Sequence, residues 1–148
     1  MSDRYQSNGG PPETAFSMLQ RVRFGDLDAM QHMNNVEFLR FFETARIDYL
    51  TTIAPEHEPG SRRFGFIFAE CHIRYRSPAH YGEEVRTFVW PSELRRSSIR
   101  LEFEMRIDSD DRLIAHGYGV LVGYDYSAGR SQPVPDELRG RLEKQLVY

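Results

Sequence analysis

The chain has 148 residues, which is enough for one domain with a sizeable core. Its formal net charge of -3 argues against nucleic acid as the main partner, because phosphate binding requires a basic surface. A single cysteine, Cys71, excludes an internal disulfide and fits a reducing, cytoplasmic compartment. No apolar run is long enough to span a bilayer, so no membrane partner is expected.

The first fourteen residues are polar and lack the apolar core of a signal sequence. They predict a disordered tail at 1–14, followed by a single domain over 15–148. The stretch from Ala15 to Phe24 alternates weakly between apolar and polar residues and predicts a first strand.

A polar loop from Gly25 to Met33 then leads into one long apolar helix that ends near Ile53. Asn34 is the predicted N-cap, and Glu37 three residues later completes a capping box. The first backbone N–H groups of a helix have no intrahelical partner, so the N–H of Asn35 is expected to be free. It would lie at the positive end of the helix dipole.

From Phe64 onward the hydrophobic period changes to two, and four further strands are predicted. They run from about Phe64 to Arg76, Val85 to Pro91, Ile99 to Asp108 and Arg112 to Tyr124. Ile67, Ala69, Cys71, Ile73 and Tyr75 are predicted to share one face, with Cys71 an inert core thiol. Gly117 and Gly119 would let a helix approach the last strand closely. Pro135 opens a short C-terminal helix with Leu138, Leu142 and Leu146 on one side.

A strongly apolar helix needs cover, and an antiparallel sheet with one apolar face supplies it. The order of elements therefore predicts an α+β fold in which five strands curl around one long helix.

Three chemically active side chains precede that helix: Asp26, Asp28 and His32. A carboxylate beside free backbone donors can attack and polarise a carbonyl group. By residue type alone, a role for Asp28 in turning the chain is favoured over a catalytic role by about three to one. Asp26 is interpreted as a brace that binds backbone N–H groups. His32 fits a structural role and an active-site role about equally well.

Other polar residues have simpler interpretations beside their functional ones. Glu43 is a rival acid, but an ion pair with Arg46 at i, i+3 is favoured. Arg95 and Arg96 form either a solvated turn or, with Ser97, a phosphate site. His72, His80 and His116 show no ligand spacing with other donors, so no metal is predicted.

Five stretches together resemble one family, and they cover the chain from about residue 18 onward. They are DLDAMQHMNN from Asp26 to Asn35, FFETAR from Phe41 to Arg46, RYRSPAHYGEE from Arg74 to Glu84, ELRRSS from Glu93 to Ser98, and GRSQPVP from Gly129 to Pro135. In this order and spacing they resemble the hot-dog-fold acyl-CoA thioesterases of the 4-hydroxybenzoyl-CoA thioesterase branch.

The resemblance implies a hot-dog fold that assembles as a homodimer or homotetramer, with active sites at the dimer interface. It implies that Asp28 is the catalytic aspartate and that the N–H of Asn35 binds the carbonyl. Substrate contacts are expected from Asn34, Phe38, Arg95, Arg96 and Ser97, and Glu43 is the acid position of a sister branch. Close relatives often have Tyr or His where this chain has Asn35, and the imidazole here lies earlier, at His32.

The predicted function is therefore hydrolysis of an acyl-CoA or acyl-carrier-protein thioester. Coenzyme A is then part of the substrate, and no cofactor is expected. Two alternatives remain. A hot-dog hydratase would use an Asp and a His, such as Asp28 and His32, on an enoyl thioester. A non-catalytic module would only bind acyl thioesters.

Overall fold

A computed structural model describes residues 10–58, 60–61 and 65–147 of the chain. The strands are β1 (Phe16–Arg21), β2 (Phe66–Tyr75), β3 (Glu84–Leu94), β4 (Ser98–Ile107), β5 (Leu113–Asp125) and β6 (Arg130–Ser131). The helices are α1 (Asn35–Ile53) and α2 (Asp136–Glu143), with short 3-10 turns at Phe24–Asp26 and Pro55–His57. The predicted disordered tail falls mostly on residues 1–9, which lie outside the described residues.

The main strands pair in the order β1-β3-β4-β5-β2, and every pairing is antiparallel. The predicted five-stranded sheet and its long helix are confirmed. The two-residue β6, which pairs with β5, was not predicted. β3 continues past the predicted end at Pro91, because a bulge between Pro91 and Glu93 accommodates the proline.

Aromatic rings fill the space between α1 and the sheet. Phe42 of α1 is fully buried and stacks on Phe103 of β4, with ring centroids 4.2 Å apart. A Cβ atom on Gly119 would lie 2.4 Å from the ring of Phe68 and 2.9 Å from that of Phe42. Gly119 therefore allows the close approach that the sequence predicted. Gly117 has a different reason, since its Cβ would lie 1.9 Å from the carbonyl oxygen of His72 in β2.

The predicted face of β2 is wrong in its first half. A bulge between Phe68 and Glu70 shifts the register against β5. Residues directly opposite each other in an antiparallel pair share a face, so Phe68 lies on the α1 side and Ile67 on the outer side. From Cys71 onward the predicted face is correct.

Cys71 is not the core thiol that was predicted. β2 is an edge strand of the described sheet, and the thiol is exposed there.

The C-terminal helix covers one end of the sheet. Leu138 and Leu142 are buried, as predicted, whereas α2 ends at Glu143 and leaves Leu146 beyond it. A guanidinium N–H of Arg139 donates to the carbonyl oxygens of Arg95 and Arg96, at 2.5 and 3.1 Å. α2 is thus tied to the β3–β4 hairpin. Within the described part of the chain, neither helix is long and apolar enough to cross a membrane.

Candidate active site

The loop before α1 closes on itself through two backbone pairs. The N–H of Asp28 donates to the carbonyl of His32 at 2.9 Å, and the N–H of Asn34 donates to the carbonyl of Asp26 at 2.8 Å. Gln31 takes the left-handed conformation, with a φ of 63°, where the chain reverses. The loop therefore holds Asp28 and His32 side by side at the start of the helix.

The half-buried carboxylate of Asp28 uses one oxygen to hold this loop. Oδ1 accepts hydrogen bonds from the N–H of Met30 at 2.9 Å and of His32 at 3.4 Å. Oδ2 has no partner among the residues that the structure describes. Asp28 thus turns the chain, as the simpler interpretation required, and keeps a second oxygen for other chemistry.

Asp26 is a structural brace, as predicted. Its side chain is 3% exposed, and Oδ2 accepts from the N–H of Arg23 at 2.8 Å. The Arg23 guanidinium lies 3.3 Å from Oδ1, and this hydrogen-bonded carboxylate raises the pKa of Arg23.

The N-cap of α1 is confirmed, but the capping box is wrong. Oδ1 of Asn34 accepts from the N–H of Val36 at 3.0 Å. The N–H of Asn34, which Glu37 was expected to bind, donates to the carbonyl of Asp26 instead. Glu37 lies 3.7 Å from the guanidinium of Arg40. The substrate contact predicted for Asn34 stays a prediction.

The first residue of α1 offers the expected donor. Asn35 is exposed, and no described residue accepts a hydrogen bond from its N–H. Its carbonyl accepts from the hydroxyl of Tyr75 at 3.0 Å. The Tyr75 ring packs edge-on against Phe38, which is 2% exposed, with centroids 5.1 Å apart. Tyr75 therefore forms the surface next to Asn35 and covers Phe38, whose predicted substrate contact stays a prediction.

Tyr75 was not predicted as a site residue, and His80 was predicted only to lack the spacing of a metal ligand. The signal for Tyr75 was its place on the face of β2 predicted to carry apolar residues. His80 had no such signal, because it contacts His32 across two loops that lie far apart in sequence. Their rings are edge-to-face, with centroids 5.3 Å apart.

Glu43 forms the predicted ion pair. Its Oε2 lies 3.6 Å from the guanidinium of Arg46. Arg46 is 6% exposed and stacks over the ring of Phe68 at 3.9 Å, and burial lowers its pKa. The predicted ion pair is therefore confirmed, whereas the role of Glu43 as an alternative acid stays a prediction.

Arg95, Arg96 and Ser97 form the tip of the β3–β4 hairpin, and both arginine side chains are exposed. This tip lies at the opposite end of the sheet from Asn35. Ser98 pairs with Val122, whereas Tyr75 pairs with Ala115. From Ala115 to Val122 the strand spans roughly 23 Å. One chain by itself therefore does not bring Arg95 and Arg96 to Asp28.

Comparisons with known proteins identify the family. The family model of the Thioesterase-like superfamily matches residues 22–142. The chain is 25% identical over 126 residues to the long-chain acyl-CoA thioesterase FadM of Escherichia coli, covering 85% of this chain and 96% of that protein. It is also 25% identical over 139 residues to a 1,4-dihydroxy-2-naphthoyl-CoA hydrolase of a Synechococcus species, covering 88% and 90%.

A solved thioesterase from Thermus thermophilus, complexed with coenzyme A and Zn, superposes with a TM-score of 0.76. It is 34% identical and covers 88% of this chain and 92% of its own. Sequence and fold thus agree over nearly the whole described chain. The chain belongs to the thioesterase-like superfamily, and the predicted enzyme class, a thioesterase with the hot-dog fold, is confirmed.

Proposed function

We propose that this protein hydrolyses acyl-CoA thioesters, with Asp28 as nucleophile or general base and the N–H of Asn35 as oxyanion donor. One observation carries the proposal. A carboxylate with a free oxygen is fixed in the short loop that ends at a helix N-terminus, where no described residue accepts from the first N–H.

In this mechanism the thioester carbonyl oxygen accepts the Asn35 N–H. Negative charge grows on that oxygen as the carbon becomes tetrahedral, and the helix dipole stabilises it. Oδ2 of Asp28 then has two possible roles. It attacks the carbon to form an anhydride that water later cleaves, or it takes a proton from an attacking water. Either route breaks the carbon–sulfur bond and releases the thiol and a carboxylic acid.

The relatives support coenzyme A as the carrier. FadM and the naphthoyl-CoA hydrolase are named for acyl-CoA substrates, and the Thermus thioesterase was solved with coenzyme A. The acyl groups in the two names differ, one long-chain and one aromatic, so they leave the acyl group of this chain open. Acyl carrier protein is the alternative carrier.

We further propose that two chains pair through β2, so that each active site is shared. β2 is a ten-residue edge strand, and uncovered edges favour pairing. Apolar side chains beside it are exposed: Val36 and Leu39 of α1, and Phe68 and Tyr75 of β2.

Pairing two β2 strands antiparallel about a two-fold axis would place the Tyr75 end of one beside the Phe66 end of the other. The Arg95 and Arg96 hairpin of the partner would then approach Asn35. Those arginines are suited to the phosphates of coenzyme A. Within one chain, roughly 23 Å of strand separates the arginine hairpin from the Asn35 end of the sheet. An active site shared between two chains would let one substrate contact both. Two such dimers would give the predicted tetramer.

A panel of acyl-CoA and acyl-carrier-protein thioesters tests the proposal. Hydrolysis releases free thiol, measured with a thiol reagent, and we expect it with at least one acyl-CoA. Loss of enoyl absorbance without thiol release would identify a hydratase. Binding without either change would identify a non-catalytic module.

A further inference from the structure

The imidazole ring of His32 packs against the ring of a second histidine, His80. His80 lies edge-to-face against it, with ring centroids 5.3 Å apart and an interplanar angle of 86°. The backbones of the two residues also form an antiparallel bridge. One residue further along, the N–H of Met33 donates to the carbonyl of Ala79 at 2.8 Å. The loop that carries His80 therefore runs along the loop that carries Asp28.

His80 is itself fixed by a carboxylate. Oε1 of Glu83 accepts from the backbone N–H of His80 at 2.7 Å and lies 3.1 Å from Nδ1 of its ring. An ionised carboxylate accepts only, so it keeps the proton on Nδ1 and sets the ring orientation.

Glu83 is in turn held by Arg112. One guanidinium nitrogen of Arg112 lies 3.1 and 3.0 Å from the two carboxylate oxygens, and it also donates to the carbonyl of Pro78 at 3.2 Å. Burial alone would raise the pKa of Glu83, but its hydrogen bonds to His80 and Arg112 outweigh that effect and lower it. Glu83 therefore stays ionised at neutral pH and continues to accept hydrogen bonds from His80.

His32 is tied to Asp28 on its other side. Its N–H points to Oδ1 of Asp28 at 3.4 Å, and its carbonyl accepts from the N–H of Asp28 at 2.9 Å. Both contacts are made by the backbone of His32, so a shift of that backbone would move the carboxylate as well.

We propose that His80 is a positioning residue, which Glu83 and Arg112 hold in place and which fixes His32 beside Asp28. This inference rests on the proposed function. His80 need not touch the substrate, because its ring acts through His32.

Substitution of His80 tests the proposal. His80→Phe keeps a ring against His32, whereas His80→Ala removes it. We expect His80→Ala to lower kcat roughly tenfold with KM within about twofold, the scale of a small misplacement of catalytic groups. His80→Phe should restore most of kcat. The matched control is Tyr118→Ala, which removes a ring of β5 that stacks on His72, with centroids 5.5 Å apart, on the outer face of the sheet. It should leave kcat unchanged.

A double-mutant cycle shows whether the effect passes through His32. In a His32→Ala background, His80→Ala should cost little more. An equal loss in both backgrounds, an unchanged kcat in His80→Ala, or an equal loss in Tyr118→Ala would overturn the proposal.

A second readout is independent of activity. The NMR signals of the His32 ring should shift in His80→Ala and lie closer to wild type in His80→Phe. Unmoved His32 signals in a folded His80→Ala protein would refute positioning. Absence of thioesterase activity in the wild type would refute the proposed function alone.

Discussion

One oxygen of the Asp28 carboxylate accepts hydrogen bonds from the loop, and the other has no partner among the described residues. This arrangement predicts the effect of replacing the carboxylate by an amide. Asp28→Asn keeps an oxygen for the N–H of Met30 but removes the proposed nucleophile or base. We expect kcat to fall at least roughly a hundredfold, the usual scale for losing such a group, while fold and assembly survive. Steady-state kinetics with circular dichroism would check this.

Glu43→Gln is the control for that experiment. Glu43 is 65% exposed and pairs with Arg46, so its amide should cost little rate, and any loss should follow stability. If Glu43→Gln abolished turnover in a folded protein while Asp28→Asn kept most of it, the acid would be Glu43.

Glu83 gives a prediction for stability in acid. Its pKa is lower in the folded protein than its ordinary value of 4.5. Such a group contributes stability above pH 4.5, and the contribution is lost as pH falls through the lower folded value. Glu83→Gln should therefore unfold at lower urea than wild type at about pH 7, and the gap should narrow below pH 4.5. Glu84→Gln, at the exposed neighbour, is the control. A gap that widens in acid would contradict the assignment.

Residue identity anticipated part of the candidate site. Three features could be predicted because each depends on neighbours within four positions in the sequence. They are the N-cap at Asn34, the brace at Asp26 and the ion pair between Glu43 and Arg46. Tyr75 and His80 were not, because they reach Asn35 and His32 from distant segments. The capping box was predicted wrongly for a similar reason. The N–H of Asn34, which Glu37 was expected to bind, donates to the backbone carbonyl of Asp26 in the preceding loop.

At the scale of elements, the β3–β4 hairpin carries two exposed arginines at a tip that hydrogen bonds tie to the C-terminal segment. Its tip is held by Arg139 and by the N–H of Val134, which donates to the Arg96 carbonyl at 2.9 Å. Changing Arg95 and Arg96 to Ala should raise KM for acyl-CoA several-fold with kcat nearly intact, as expected for uniform binding. Salt should shrink the effect because exposed charges are screened. The control is Arg130→Ala, at another exposed arginine. An unchanged KM at low salt would show that Arg95 and Arg96 form an ordinary surface turn.

Two glycines in different surroundings are predicted to respond in opposite directions to substitution by alanine. A methyl group on Gly119 would press on the rings of Phe68 and Phe42, so Gly119→Ala should destabilise the protein by about 1–3 kcal/mol. Gly140 lies within α2 with open space around its Cβ position. Gly140→Ala should stabilise by about 0.5–1 kcal/mol through helix propensity. Urea denaturation measures both. An unchanged stability of Gly119→Ala would mean that the rings of Phe68 and Phe42 can move aside.

At the scale of the whole molecule, the proposed sharing of active sites predicts that two inactivated chains can complement each other. In a mixed dimer of Asp28→Asn and Arg95→Ala/Arg96→Ala chains, one site has both an intact Asp28 and an intact arginine pair. Random mixing after reversible unfolding should restore roughly a quarter of wild-type activity at substrate below KM. Activity equal to the average of the separate variants would show that each site lies within one chain. An active monomer in sedimentation would contradict the assembly itself.

The sequence by itself determined the order of elements, the long apolar helix and its cap, and the placing of Asp28 just before a free N–H. These follow from hydrophobic period and from hydrogen bonds between near neighbours, which the printed chain contains. Only the tertiary structure decided the rest. The bulge in β2 turned Phe68 toward α1, and the edge position exposed Cys71, because pairing register depends on the whole sheet. The same pairing placed Arg95 and Arg96 at the far end from Asp28, and it brought Tyr75 and His80 to the loop.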